Sequence, residues 1–353
     1  MSKLRIGFVG LGRAAAHYAE IINKFYKDKI EISIGIDSFK DARDNWSDKY
    51  GCETRSNISD IDPSKVNFVI VITPSGSHAE DSKQLLQKGI NVLCEKPIGL
   101  NIDEVQENIE IADRAGLSYG GVFQNRMNKP ILYVKQIFEN EDFGNIISAG
   151  VKLQWCRLQE YYNDDWHGRW KTDGGVINQQ AIHHIDALFH LFGPPKCLSG
   201  FSGNINNKLE AEDTFVASGV FEQGGFFTIE ATTAVRPDDY AASLEIITDK
   251  YQISIGGIAL NKLERFRKNG KDINEVLSDN SEEVINGYGN GHKYMLGQIL
   301  NNWEQSKKIT FPLSAADSLN SLRYIHALYS SVENNSVISF SDDVRSVKLG
   351  QDV

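Results

Sequence analysis

The stretch RIGFVGLGRAA, residues 5–15, decides the fold of the first part of this chain. Its first five residues predict a strand, and the alanine-rich segment Ala14–Phe25 that follows predicts a helix. The glycine pattern G-x-G-x-x-A between them is typical of a turn that holds a dinucleotide pyrophosphate. Gly10 permits the tight turn, Gly12 lets the backbone approach a phosphate, and the small Ala15 lets the helix pack against the strand.

Two features beside this turn point to the same ligand. The main-chain N–H groups of Arg13 and Ala14 lie at a helix N-terminus, where the helix dipole favours phosphate. Asp37 follows a second predicted strand, Ile30–Ile36, where a carboxylate binds the adenosine ribose hydroxyl and repels a 2′-phosphate. We therefore expect NAD rather than NADP, although Arg43 lies close enough in sequence to complicate that preference.

The order and length of the predicted strands and helices change near residue 124. Before it, strands such as Val66–Thr73 and Asn91–Cys94 alternate with helices, which predicts a parallel sheet of βαβ units. After it come longer strands with glycine turns such as Gln223–Gly225, which indicate a largely antiparallel sheet. We expect an α/β protein of two domains, with residues 1–124 binding NAD and residues 125–353 binding substrate.

Composition and charge exclude several classes of protein. The 353 residues are 41% hydrophobic, yet no apolar run approaches the roughly 18 residues of a membrane span. A net charge of −10 opposes non-specific binding of nucleic acid. No signal peptide is evident, so we expect a cytoplasmic protein. We expect no metal site, since no histidine or cysteine spacing is typical of ligands and the four cysteines form no C-x-x-C pair: Cys52, Cys94, Cys156 and Cys197.

A series of short motifs in a fixed order extends over nearly the whole chain. They are Thr73-Pro74-Ser75 with His78, Glu95-Lys96-Pro97, Gln124-Asn125-Arg126, Asp173-Gly174-Gly175-Val176 and His183-His184-Ile185-Asp186. Together they resemble the Gfo/Idh/MocA oxidoreductase family. The resemblance implies an N-terminal Rossmann domain and a C-terminal α+β domain with an open, largely antiparallel sheet. It also implies hydride transfer between a nicotinamide cofactor and a sugar or cyclitol alcohol, and a homodimer or homotetramer formed through that sheet.

The resemblance narrows to a subgroup that acts on nucleotide sugars. The segments concerned are Trp166-His167-Gly168-Arg169-Trp170, Asn178–His183 and Gly291-His292-Lys293. Members of this subgroup make a 3-keto sugar that an aminotransferase converts to a 3-amino sugar, a step of amino-sugar biosynthesis for cell-surface polysaccharide. The cofactor-binding residues expected from the motifs are Gly10, Gly12, Arg13, Ala14, Asp37, Thr73, Pro74, Ser75, His78, Glu95, Lys96 and Gln124.

Lys96 is the first candidate for catalysis. Oxidation of a secondary alcohol needs a hydride acceptor and a base for the hydroxyl proton. Lys96 follows the carboxyl end of a predicted parallel strand, where such sheets bind their ligands. Beside a cationic nicotinamide ring and partly desolvated, its pKa should fall. It could then take or relay the proton. The alternative is a solvated surface lysine.

His183 is the second candidate. It lies on a single predicted helix, Val176–Phe192, and His184 falls in an apolar row of that helix. The polar residues share another face: Gln179, His183, Asp186 and His190. We expect His183 to act as general acid/base or to orient the substrate, and a core histidine bonded to Asp186 or to the main chain is the alternative. Many family members have Asp where this chain has Gln179, whose neutral amide orients an imidazole without stabilising an imidazolium. Lys96 is therefore the better candidate base.

A basic and aromatic segment, residues 157–171, supplies further candidates for substrate binding. Arginines suit a diphosphate and aromatic faces suit a uracil or sugar ring, although packing in a core is the alternative for the aromatic residues. Arg126 and Arg236 are weaker candidates. The expected substrate-binding residues are Lys96, Arg157, Tyr161, Trp166, Arg169, Asn178, Gln179, His183 and His184.

The leading hypothesis is NAD-dependent oxidation of the C3 hydroxyl of UDP-N-acetylglucosamine or its uronate. Three alternatives remain open. The chain could oxidise a free or phosphorylated sugar or cyclitol, as inositol dehydrogenases do. It could hydrolyse glycosides through transient oxidation by a tightly held NAD. It could also be a non-catalytic NAD-bound sensor, for which Lys96 and His183 would not be needed.

Overall fold

The computed structural model describes residues 3–140 and 142–352, which form two compact units. The first unit consists of Met1–Phe123 and His292–Leu322, and the second consists of Gln124–Gly291 and Arg323–Val353. This division departs from a single boundary after residue 124, because a segment late in the chain belongs to the first unit.

A parallel sheet forms the centre of the first unit. Among the described residues it has six strands: β1 (Leu4–Val9), β2 (Ile30–Ile36), β3 (Glu53–Arg55), β4 (Phe68–Val71), β5 (Asn91–Cys94) and β6 (Tyr119–Gly121). Four helices alternate with them: α1 (Arg13–Ile21), α2 (Lys40–Tyr50), α3 (His78–Gln87) and α4 (Ile102–Ala115). The strand order is β3-β2-β1-β4-β5-β6, with every pairing parallel. This is the doubly wound Rossmann arrangement, so the predicted parallel sheet is confirmed.

The order of the strands fixes where a ligand binds in the first unit. The chain reverses direction across the sheet between β1 and β4, and open α/β sheets bind ligands at such a switch point. Both strands are buried, as helices on both faces of a parallel sheet require. The carboxyl ends of β1, β4 and β5 carry the glycine turn, the Thr73 turn and Lys96 respectively.

The second unit is built on a mixed sheet. It contains α5 (Lys129–Asn140), β7 (Ile146–Gln154), α6 (Val176–Gln179), α7 (Ile182–Phe192), β8 (Pro195–Gly203), β9 (Thr214–Phe221), β10 (Phe226–Thr232), β11 (Ala241–Thr248), β12 (Tyr251–Gly256), β13 (Lys262–Lys268), β14 (Lys271–Asp272) and α8 (Glu275–Asp279). The chain ends with α9 (Gly291–Ser306), α10 (Ala315–Glu333) and β15 (Ile338–Ser339).

The described strands of this sheet follow the order β14-β13-β12-β11-β7-β10-β9-β8-β15. Strands β7 and β10 are parallel, and the other described pairs are antiparallel. The predicted largely antiparallel sheet is therefore confirmed. Register places Phe201 opposite Val216 on one face, and these side chains are 76% and 42% exposed. Assembly of copies through this face stays a prediction.

Helix α9 was not predicted from the sequence, and it explains the unexpected division of the chain. Its apolar residues recur at helical spacing and are buried in the same core as β1 and α1: Met295, Leu296, Ile299, Leu300 and Trp303. The Rossmann unit therefore completes its core with a segment from near the end of the chain.

The predicted helix Val176–Phe192 is two helices, and the prediction of one continuous helix is wrong. Helix α6 ends at Gln179, and α7 begins at Ile182. The N–H of Ala181 bonds to Val176 O at 2.8 Å, five residues back, and this wide turn interrupts the helical register. Asn178 bends its side chain back to the main chain, a competition that short amides offer to helix formation. Gln179 and His183 are therefore not neighbours on one regular helix face.

Within residues 3–140 and 142–352, no helix combines the length and hydropathy needed to span a membrane. The same residues hold no group of three histidine, cysteine or acidic side chains placed to bind a metal.

Candidate active site

The glycine turn after β1 has the shape that a dinucleotide requires. Gly10 has φ +89°, and a Cβ there would lie 2.5 Å from the carbonyl oxygen of Ile72, so only glycine fits. At Gly12, by contrast, no described atom lies within 4 Å of the Cβ position, which leaves room for a phosphate. Helix α1 begins directly afterwards with Gly12 as its N-cap, and its first turn contains no acidic residue. The N–H groups and the positive dipole end therefore suit the pyrophosphate of NAD.

Asp37 is held beside this turn. Its carboxylate accepts the N–H of Leu11 at 3.0 Å and the N–H of Phe39 at 2.9 Å. Arg43 directs Nη1 to the carbonyl oxygens of Asp37 and Ser38, at 2.7 and 2.9 Å. Because those carbonyls hold the guanidinium, the carboxylate remains the group that meets an adenosine ribose, as expected for NAD.

Replacement of Asp37 tests this assignment. Asp37→Ala should weaken NADH binding by about 10- to 100-fold, the loss expected for a hydrogen bond to a charged group. It should weaken NADPH binding far less, because the repulsion of the 2′-phosphate disappears. Titration of protein fluorescence with each cofactor measures both constants. Asp37→Asn is the matched control, since it removes the charge and keeps an acceptor; equal weakening of both cofactors by Asp37→Ala would contradict the assignment.

Hydrogen bonds of buried and partly buried side chains hold the turn after β4. His78 is buried, with Nδ1 2.6 Å from Pro97 O and Nε2 2.7 Å from Thr73 O. Burial lowers the pKa of His78, and the two carbonyls act in the opposite direction. Thr73 donates its hydroxyl to Asp81 at 2.6 Å. His78 therefore ties the Thr73 turn, with Pro74 and Ser75, to the segment that contains Lys96.

Lys96 and Glu95 follow β5. Lys96 is partly exposed, while Glu95 beside it is buried. The structure thus places Lys96 at the carboxyl end of a central strand, in the same unit as the glycine turn, Asp37 and His78. Gln124 differs from the other predicted cofactor residues, since it belongs to the second unit and is buried in the short turn Gln124–Met127.

Apart from Lys96, the predicted substrate-binding residues belong to the second unit. His183 is partly exposed near the start of α7. Gln179 donates Nε2 to the buried carboxylate of Asp173 at 2.7 Å, and Asn178 donates to the carbonyl oxygen of Asp173 at 2.6 Å. The loop after Gly168 therefore supplies a negative charge behind the amide of Gln179. Asp173 belongs to a motif noted in the sequence, but no role was predicted for its carboxylate, because it comes from a loop rather than from the helix.

A buried ion pair holds α7. Arg126 binds Asp186 through two bonds, Nε–Oδ2 at 2.8 Å and Nη2–Oδ1 at 2.6 Å. The pair is nearly excluded from solvent, with side chains 12% and 1% exposed. Burial, followed by the charge of Arg126, lowers the pKa of His190 to about 4. On the polar face predicted for this helix, Asp186 therefore forms the ion pair. His183 lies one turn before Asp186 on α7.

His184 lies in apolar surroundings, as its position in the sequence pattern indicates. It is 2% exposed and meets the edge of Trp155, with 6.1 Å between ring centroids. In the part of the chain that the structure describes, neither ring nitrogen finds a hydrogen-bond partner. Burial lowers its pKa to about 4, so the ring is neutral at physiological pH.

In the basic and aromatic segment, some side chains contact other residues and others are exposed to solvent. Arg157 pairs with Asp239 at 3.0 Å and lies over the Trp155 ring at 4.9 Å from its centroid. The ring of Tyr161 is 4.3 Å from that of His167, and Trp166 also packs on His167. Arg169 has a 47% exposed side chain, with Asp165 4.0 Å away. Of the two arginines, Arg169 is therefore the more exposed. The weaker candidate Arg236 binds main-chain carbonyls and Asn207.

Glu212 is a buried carboxyl that no sequence signal identified. Its Oε1 accepts the hydroxyl of Tyr329 at 3.0 Å and the N–H of Ile177 at 3.2 Å. Burial raises the pKa of Glu212 to about 8, against the opposing effect of those two donors. The carboxyl lies against Gly175, where a Cβ would collide with it.

Glu212 should make stability depend on pH. The native state binds a proton that the unfolded chain releases above about pH 4.5, so stability falls as pH rises from there to about pH 8. Glu212→Gln should remove this loss, which at about 1.4 kcal/mol per pKa unit amounts to roughly 5 kcal/mol over the whole range and roughly 3 kcal/mol between pH 5.5 and pH 8. Urea midpoints at pH 5.5 and pH 8 measure it, and Glu210→Gln is the control. An equal loss in wild type and Glu212→Gln would refute the assignment.

The glycine turn, the acidic residue after β2 and the Rossmann sheet define an NAD-binding oxidoreductase. The profile "Oxidoreductase family, NAD-binding Rossmann fold" matches residues 4–121, and "Oxidoreductase family, C-terminal alpha/beta domain" matches residues 135–340. The chain therefore belongs to the Gfo/Idh/MocA family of NAD-dependent oxidoreductases.

Solved structures and curated relatives resemble the chain over much of its length. The WlbA dehydrogenase of Bordetella pertussis, solved with NADH and UDP-GlcNAcA, has a TM-score of 0.89 and 27% identity, covering 96% of this chain and 98% of that one. WlbA of Chromobacterium violaceum, solved with the same two ligands, has a TM-score of 0.87 and 26% identity, covering 96% of each chain. Glucose-6-phosphate 3-dehydrogenase of Bacillus subtilis is 24% identical over 260 residues, covering 70% of this chain and 72% of that protein.

Proposed function

We propose that this enzyme oxidises the C3 hydroxyl of a UDP-N-acetylhexosamine, UDP-N-acetylglucosamine or its uronate, to the 3-keto sugar. The single observation that carries the proposal is the similarity to the WlbA dehydrogenases over 96% of the chain. The exposed guanidinium of Arg169, in the same chain segment as the aromatic residues Tyr161 and Trp166, supports a ligand with a diphosphate and a planar base. The product suits an aminotransferase that makes a 3-amino sugar.

Different residues of the chain have different roles in this reaction. Bound NAD supplies the hydride acceptor. Lys96 takes the proton of the C3 hydroxyl and stabilises the negative charge that develops on its oxygen. His183 orients the hydroxyl. Asp173 fixes the direction of the Gln179 amide, whose N–H it accepts, and so leaves the amide oxygen as the end that can accept a hydrogen bond.

A single-turnover measurement tests the reaction. Enzyme at micromolar concentration is mixed with NAD and either UDP-N-acetylglucosamine, its uronate or inositol, and absorbance is followed at about 340 nm, where the reduced cofactor absorbs. We expect a rise with a UDP-sugar and none with inositol. High enzyme concentration reveals one turnover even where NADH leaves slowly. Protein that binds NAD but gives no rise with either UDP-sugar contradicts the proposal.

Oxidation of a phosphorylated sugar is the second candidate. It is favoured by the similarity to glucose-6-phosphate 3-dehydrogenase. Glucose 6-phosphate is therefore tested in the same experiment. A rise in absorbance with this substrate alone would identify the enzyme as a dehydrogenase of a phosphorylated sugar. Release of free sugar without net NADH would instead identify a glycosidase.

Arg169 separates the two substrates. Arg169→Gln should raise KM for the UDP-sugar by about 10- to 100-fold, the loss expected for a charged hydrogen bond, with little change in kcat. KM for glucose 6-phosphate should change less, since it has one phosphate. Initial rates give both constants. Arg114→Gln, at another exposed arginine, is the control, and an equal rise in KM for both substrates would count against a diphosphate contact.

We also propose that the enzyme is a cytoplasmic homodimer or homotetramer that associates through the second unit's sheet. The exposed apolar side chains on its outer face support this, among them Phe201, Val216 and Phe226. Light scattering after gel filtration should give two or four copies, and Phe226→Lys should lower that number. A monomeric wild type would refute the assembly.

A further inference from the structure

A buried network lies immediately beside Lys96. The Glu95 carboxylate accepts the Tyr18 hydroxyl at 2.9 Å and approaches His292 Nε2 at 3.1 Å, both through Oε1. Its other oxygen accepts the main-chain N–H of Lys96 at 3.1 Å. Glu95 is 8% exposed and His292 2% exposed. Two donors from distant parts of the chain and one from the adjacent residue therefore converge on one carboxylate.

The donors decide the charge of Glu95. Burial alone raises the pKa of a carboxyl group, but the hydrogen bond and charge of His292, the Tyr18 hydroxyl and the charge of Lys96 outweigh it and bring the pKa of Glu95 to about 2. Glu95 is therefore an anion at physiological pH. An ionised carboxylate only accepts hydrogen bonds, so His292 carries its proton on Nε2.

Other titratable groups surround the network. His17 lies with its ring 5.2 Å from that of His292, and burial followed by the charge of His292 lowers its pKa to about 4. Glu20 and Glu95 oppose that shift. The charge of Glu95 also acts to raise the pKa of His78, against the larger effect of burial. Among these neighbours, His292 bonds directly to the carboxylate, at the same oxygen that accepts the Tyr18 hydroxyl.

We propose that His292 and Tyr18 are positioning residues for Lys96: they keep Glu95 ionised beside it, which anchors the main-chain N–H of Lys96 and holds its amine protonated until a cationic nicotinamide ring lies beside it. The contacts are independent of any substrate. Their meaning for catalysis rests on the proposed role of Lys96 as the base. A His292 amide replacement keeps a donor, whereas an aliphatic replacement leaves Glu95 with one donor fewer.

The rate at which Lys96 is acylated tests the proposal without substrate or cofactor. Only the free amine reacts with a small acetylating ester, so loss of an adjacent anion should lower the pKa of Lys96 by about one unit and raise its rate about tenfold. Peptide mass spectrometry gives the rate, with exposed Lys271 as the reference within each protein.

Four variants give the decisive comparison. His292→Leu and Glu95→Gln should both raise the Lys96 rate about tenfold, and Tyr18→Phe should raise it less. His292→Gln, which keeps a donor but no charge, should raise it less than His292→Leu. An unchanged rate in both Glu95→Gln and His292→Leu overturns the proposal, as does an equal rise in His292→Gln and His292→Leu. If His292→Leu fails to fold, Glu95→Gln and Tyr18→Phe decide. A failure of the UDP-sugar reaction leaves this result untouched.

Discussion

Lys96→Met should lower kcat by about 10²- to 10⁴-fold, which is the range that a positioned general base contributes. Methionine keeps the length and the apolar stem of the side chain and removes the amine. NADH binding should persist, because the glycine turn and Asp37 are unchanged. Rapid-mixing kinetics with the UDP-sugar measures kcat, and fluorescence titration measures the binding of NADH.

Lys271→Met is the matched control for this variant, because Lys271 is an exposed lysine of the second unit. It should leave kcat unchanged. A Lys96→Met enzyme that retains kcat within about threefold of wild type would assign the proton transfer to another group. In that case His183→Asn becomes the next variant to measure. Intact cellular function in Lys96→Met would favour the sensor hypothesis.

Breaking the ion pair between Arg126 and Asp186 should have the largest effect on stability. Arg126→Met leaves an uncompensated carboxylate at a site that is 1% exposed, and the loss of one partner of a buried pair costs about 3–5 kcal/mol. Asp186→Leu should be similarly severe. The double variant should lose much less than the sum of the two, because it leaves no isolated charge. Urea denaturation followed by tryptophan fluorescence measures all three variants.

The matched control is Arg157→Met with Asp239→Leu, a pair that is more exposed. It should show a coupling of about 1 kcal/mol or less. Additive losses at Arg126 and Asp186 would mean that the two charges are compensated separately. Because Asp186 is one turn after His183, variants that fold should also show a lowered kcat.

Local patterns in the sequence predicted much of the first unit. The strands Ile30–Ile36 and Asn91–Cys94 have the predicted limits, because continuous β-branched or apolar runs bounded by polar residues are typical of buried parallel strands. The turn between β1 and α1 was predictable too, since Gly10 and Gly12 meet steric requirements that act within a few residues. Helix α9 was missed, because its first turn has no clear signal and its apolar face faces a core formed by distant residues.

The candidate site was predictable only in part, for the same reason. Motif spacing singled out Lys96 and His183 as candidates, and their roles remain proposals. The helix break at Gln180 and Ala181 was not predictable, because helical periodicity continues through a segment whose side chains bond to the loop before it. The exposure of the two candidate arginines was also decided by the fold. The sequence favoured Arg157 and Arg169 equally as substrate-binding residues, whereas in the structure Arg157 forms an ion pair with Asp239.

The sequence by itself determined the class of fold, the cofactor and the order of the motifs, because each depends on residues that are close together along the chain. Only the tertiary structure decided which charges meet. Glu95 meets His292 across 197 positions, and Arg126 meets Asp186 across 60. Such pairs form when separate elements pack, and burial then sets their strength, because a charge removed from water must find its partner within the protein.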